Sequence, residues 1–141
     1  MKAKDALYAE AEAVFRDLHA DSVRIGREGG TDQATPVMIR RAYGFHLDDI
    51  LEHARDLKRR GLHAEGTDPI VVSVKRLPGR SKSGSVLAMA FCVDSTGWGF
   101  YDKTGRLVTP GGVAIDDTYF AKTDGVLKII GADGREVEKC D

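Results

Sequence analysis

The hydrophobic pattern changes period at Asp68-Pro69. Before that point apolar residues recur every three or four positions, as they do on the buried stripe of a helix. After it, short runs rich in Val, Leu, Ile and Phe alternate with polar residues or run unbroken between Gly- and Asp-containing turns, as strands do. One switch of this kind predicts an α+β chain, helices first and then a β-meander. Turns this tight can only join antiparallel strands.

Leu7, Ala11, Val14, Phe15 and Leu18 place one apolar stripe on a helix over residues 4–19, with Asp5 at its start. Residues 20–33 read as a loop: Val23 and Ile25 alternate like a short strand, and Gly29-Gly30 breaks any helix. Thr35-Pro36 is a helix-start signal, Thr as N-cap and Pro in the first turn. It opens a helix over 35–43 that Gly44 ends. A third helix over 46–60 turns Leu47, Ile50, Leu51, Ala54 and Leu57 inward and closes at Gly61. Strands follow at Ile70–Leu77 and Ser85–Val93, with later turns at 95–97, 103–105, 110–112, 124–125 and 132–134. The expected core is Phe15, Leu18, Ile39, Leu47, Leu51, Leu57, Val72, Val74, Leu87, Met89 and Phe91. A single compact domain over 1–141 is expected, divisible into a helical part (1–82) and a meander (83–141). A homodimer is compatible with it.

At 141 residues the chain can bury a sizeable core without a metal or disulfide staple. No apolar run approaches the ~18 residues of a membrane span, and the first residues hold no apolar leader segment. Cys92 lies in an apolar run and Cys140 is next to last, so they read as a buried thiol and a tail thiol in a cytoplasmic protein. His19, His46, His53 and His63 form no metal-binding spacing, and Asp116-Asp117 reads as a turn pair. Gly79-Arg80-Ser81-Lys82-Ser83 has a serine where a phosphate-binding loop needs glycine before its lysine. No catalytic set stands out. The expectation is a small non-catalytic binding protein with no cofactor and no metal.

Charge locates the candidate surface. The formal net charge is −1, so any affinity for nucleic acid must come from a local patch. No acidic residue falls between Asp68 and Asp94, while Lys75, Arg76, Arg80 and Lys82 all do. Arg55, Arg59 and Arg60 extend that basic set and, together with Lys58, also suit the C-terminal end of a helix dipole. The chain has no Asn and a single Gln, so a DNA reader of this composition would read guanine or shape rather than adenine.

Residues Thr35–Leu62 (TPVMIRRAYGFHLDDILEHARDLKRRGL) resemble the second and third helices of bacterial winged helix-turn-helix proteins. The resemblance implies a three-helix, winged-helix-like N-terminal part. Leu47–Arg60 would be the recognition helix and Lys75–Lys82 the wing of a DNA-binding regulator. The first turn of that helix holds Asp48, Asp49 and Glu52, which repel phosphate. With His53 and Trp98 they make a protein-docking surface the alternative: an adaptor, an assembly factor or a mobile-element-encoded inhibitor. Trp98–Val108 also lines up with Leu127–Val137. The first copy, GWGFYDKTGRLVTP, resembles a WG repeat, which implies a hairpin binding surface rather than an enzyme.

Overall fold

The computed structural model describes residues 2–141. Its elements run α1 (Lys2–Glu28), α2 (Pro36–Arg41), α3 (Phe45–Arg60), β1 (His63–Gly66), β2 (Ile70–Arg76), β3 (Leu87–Asp94), β4 (Trp98–Tyr101), β5 (Leu107–Pro110), β6 (Val113–Thr123) and β7 (Val126–Val137). The strands make two antiparallel sheets, one of four strands in the order β2-β3-β6-β7 and one of three in the order β1-β4-β5. This is mixed α+β, but it is not a winged helix. One long helix and two short ones lie against the sheets, and the three-helix arrangement with a wing is absent.

The first helix is longer than its visible stripe. The buried series Tyr8, Ala11, Val14, Leu18 continues through Asp21 to Ile25, so an acid occupies the position where the apolar repeat should have appeared. Arg24 bridges Asp21 (2.7 Å) and Glu28 (3.1 Å) along the helix surface. Gly29, at φ +88°, ends it, and the Gly30 N–H donates to the Ile25 carbonyl at 2.9 Å. Residues 20–28, read from sequence as loop and strand, are thus the last turns of α1.

Thr35 caps α2 as expected, its Oγ1 accepting from the Met38 N–H at 3.1 Å. Gly44 is the N-cap of α3 rather than the end of α2, and Gly61, in the left-handed region, closes α3.

The core lies between α1 and the inner face of the four-stranded sheet. Val14, Phe91, Phe120, Leu127 and Ile129 are fully or almost fully buried there. Phe15 stacks on Phe91 with ring centroids 3.7 Å apart. Leu18, Leu57, Leu87 and Met89 are buried as expected, and Phe15, Leu47, Leu51 and Val74 pack against the core partly buried. Ile39 and Val72 are not core: they are 55% and 51% exposed. Met38 and Ala42 take the inner side of α2, and Val72 sits at a register shift of the edge strand β2.

Two further sequence expectations are corrected here. Asp133-Gly134 is not a turn. It lies within the continuous strand β7, so the second copy of the internal repeat is one strand while the first is the β4–β5 hairpin. Cys92 and Cys140 are not free thiols but a disulfide, with Cα atoms 5.8 Å apart. It ties the C-terminal tail to the outer face of β3.

Candidate binding cavity

Alternation along β6 gives the sheet two different faces. Ala114, Asp116, Thr118 and Phe120 are registered opposite Val93, Phe91, Met89 and Leu87 of β3 and turn inward. Asp117 and Tyr119 turn outward. The adjacent acids Asp116 and Asp117 are therefore not a turn pair: the strand sends them to opposite sides of the sheet.

Outside, residues 77–86 fold back over the sheet. Arg80 donates to Asp117 at 2.6 Å, and Arg135 donates to the same oxygen at 3.2 Å. Lys82 reaches Asp133 at 3.0 Å and lies over the Tyr119 ring, 5.6 Å from its centroid. The expected wing is thus the end of strand β2 and a loop, and its Arg76, Arg80 and Lys82 are already paired.

The other proposed nucleic-acid contacts scatter. Arg76 pairs with Asp5 (2.6 Å) and stacks over Tyr8, on the inner side of the sheet, whereas Lys75 lies on the outer side. Arg55 donates to the Asp32 carbonyl at 2.8 Å. Arg59 and Arg60 bind Asp56, with Glu52 as a second partner for Arg59. Arg55, Arg59 and Arg60 belong to α3, on the opposite side of the sheet from Arg80 and Lys82. No one surface gathers the seven cations.

Inside, toward the end of α1, the wall opens into a cavity of about 520 Å³ between α1, α3 and the two sheets. Its walls are mainly apolar, from Leu18, Ile25, Met38, Ile50, Leu57 and Val113 among others. Trp98 and Phe100 close one side, edge-on to each other at 6.3 Å, with the His53 ring edge-on to Phe100 at 6.3 Å. Gly26 lets Trp98 come this close to α1, since a Cβ there would lie 3.2 Å from the indole. Arg27 holds the indole from another side, 4.8 Å from its centroid, and donates to Asp68 and to the Gly66 carbonyl.

A few polar groups enter this apolar space. His19 on α1 donates from Nε2 to the Pro69 carbonyl at 3.3 Å. Asp21 is buried but occupied, accepting from Thr35 Oγ1 at 2.6 Å and from Arg24. Asp116 is half-buried and its carboxylate has no hydrogen-bond partner among the described residues. Burial pushes its pKa up, Asp117 next to it adds to the rise, and His19 opposes it. Asp49, Ser22 and Glu136 stand exposed at the mouth.

Of the proposed docking residues, Asp49, His53 and Trp98 meet at this cavity, while Asp48 and Glu52 do not line it. Trp98 is buried at 8% exposure, so it is wall and not surface. His19 and Asp116, dismissed one by one in the sequence, are brought together by the crossing of α1 over β6. Nothing in linear spacing shows that crossing.

No family model matches this chain, and no curated protein matches it in sequence. In structure it is similar to the intermembrane-space region of the chloroplast protein ARC6. The TM-score is 0.58 and the identity 14%, over 90% of this chain and 95% of that one. Identity that low carries the fold alone. No helix among the described residues is long and apolar enough to cross a membrane.

Proposed function

We propose that this is a small non-catalytic binding protein whose ligand is a compact small molecule held in the cavity between α1, α3 and the two sheets. The observation that carries the reading is the cavity itself. Its volume of about 520 Å³ falls within the ~300–1,000 Å³ of small-molecule sites, and an apolar wall with a few inward polar groups is how such sites are built.

The nucleic-acid reading has less support than the cavity, because the winged-helix arrangement is absent, the basic residues are dispersed and most of them have acidic partners. Cytoplasmic residence rested on two free thiols. The Cys92–Cys140 disulfide favours an oxidising compartment instead. One observation favours protein docking as a second reading: Ile39, Tyr43 and Phe45 are all large and exposed around the α2–α3 corner, Phe45 at 87%.

The test is a small-molecule screen followed by thermal denaturation and amide NMR. A ligand at 100 times its Kd should add about 2.7 kcal/mol of stability and shift resonances of Leu18, His19 and Val113. Ser22→Trp, an exposed substitution at the mouth, should abolish both effects. Shifts confined to the Ile39–Phe45 corner would transfer the binding site there. Duplex DNA binding with a steep salt dependence, lost when Arg80 and Lys82 are replaced, would restore the nucleic-acid reading.

A further inference from the structure

We infer that the cavity selects an organic cation: an ammonium group on a compact apolar body. This rests on the small-molecule reading above and adds the charge of the ligand. Three carboxylates reach the wall or mouth, from Asp49, Asp116 and Glu136, and no Lys or Arg lines it among the described residues. Asp21 does not count toward this charge, because Thr35 and Arg24 already occupy its oxygens.

Asp116 decides the matter. Its neighbour Asp117, on the other face of the same strand, has two arginines. Asp116 has none, although it sits half-buried beside apolar side chains. An ionised carboxylate only accepts hydrogen bonds, so its complement is a donor that carries positive charge. Within the chain only His19 acts on it with opposite charge, and the Nε2 of that ring is already held by the Pro69 carbonyl, so a hydrogen-bonded complement has to come from outside the chain.

The cation is organic and not a metal ion. No three His, Cys, Asp or Glu side chains among the described residues converge as a metal requires, and hard divalent ions demand six or more oxygen ligands. The remaining wall is mainly hydrocarbon and aromatic, with Trp98 and Phe100 closing one side. Aromatic rings attract weakly hydrated organic cations, and Trp98 already holds one in the Arg27 guanidinium. An anionic ligand would meet the carboxylates with only the His19 and His53 imidazoles, and no Lys or Arg, to offset them.

The experiment compares three probes of equal length on the oxidised, full-length protein: 4-phenylbutylamine, 4-phenylbutan-1-ol and 4-phenylbutyrate. Affinity is read by calorimetry and location by amide NMR. The amine should perturb cavity resonances and bind at least about 10-fold more tightly than the alcohol, the advantage of a charge-assisted contact over a neutral one. Asp116→Asn should erase that advantage, and Glu136→Gln should reduce it less. Equal binding of amine and alcohol, or tightest binding of the carboxylate, would overturn the cation inference but leave the cavity reading standing. If none of the three perturbs cavity resonances, the cavity reading falls and the inference with it.

Discussion

Breaking the Cys92–Cys140 bond should cost this protein roughly a third or more of a typical domain's stability. The bond closes a loop with a sequence separation of 48. In the chain-entropy description a loop of that length removes about 14 cal/mol/K from the unfolded state, or ~4 kcal/mol at 25 °C, against the ~5–15 kcal/mol by which domains are stable. At ~2.1 cal/mol/K per residue, a chain of 141 residues unfolds with an entropy near 0.3 kcal/mol/K, so the melting temperature should fall by about 14 °C. Cys140→Ser is the clean perturbation, since Cys140 is a tail residue, while Cys92 is buried at 3% exposure and its replacement would also disturb packing. The assay is thermal denaturation of the wild type with and without a thiol reductant, beside Cys140→Ser without one. The reduced wild type and the variant should melt together, well below the oxidised wild type. Oxidised and reduced melts within about 2 °C of each other would refute the reasoning, as would free thiols in the air-exposed wild type.

Other outcomes follow from single residues. Asp116→Asn should stabilise the protein at neutral pH: its folded pKa is raised by burial, so the native state penalises the ionised form, and that penalty is present above the folded pKa. Variant and wild type should converge in acid, where both states of the wild-type residue are protonated, as urea titrations across pH would show. Burial lowers the His46 pKa, so the unfolded chain binds that proton more readily and stability should fall as pH drops from about 7 through the folded value. His46→Gln should flatten that segment of the curve. Phe91→Ala should cost about 3–5 kcal/mol in chemical denaturation, because Phe91 is fully buried and stacked on Phe15. Asp21→Ala should cost about 1–3 kcal/mol, because it removes the buried acceptor of Thr35, the cap of α2.

The helix-to-strand switch at Pro69 was legible because it rests on local periodicity, and so were the Thr35 cap and the Gly61 stop. The far end of α1 was hidden by Asp21. A carboxylate on a core stripe looks like the end of the stripe unless its partner, Thr35, fourteen residues away, is known. β7 was misread for a similar reason: Asp133 and Gly134 have turn chemistry, but pairing with Asp117 and Asp116 keeps them extended. The winged-helix expectation took correct local elements and supplied the wrong three-dimensional arrangement. The cavity was not legible at all. Its polar groups come from α1, α3, β6 and β7, and only the sheet register brings them together. The basic cluster was a true feature of composition, but Arg76, Arg80 and Lys82 answer Asp5, Asp117 and Asp133 across the fold.

The length of α1 determines where this chain can tolerate insertions. Twenty-seven residues at ~1.5 Å each make a rod of about 40 Å. Arg76 grips Asp5 near one end, and near the other Gly26 seats Trp98. One extra residue near Ala13 would rotate everything beyond it by about 100°. The Tyr8–Ala11 half of the core would keep its contacts, but His19, Ser22 and Gly26 would swing off the cavity and the indole would lose its seat. The same insertion at the exposed tip of the loop, residues 78–84, would leave the backbone bonds at its two ends, Leu77 to Ala88 and Val86 to Phe120, in place. Among relatives of differing length, the variation should therefore fall between β2 and β3 and in the tail, while the spacing from Tyr8 to Gly26 stays fixed to the residue.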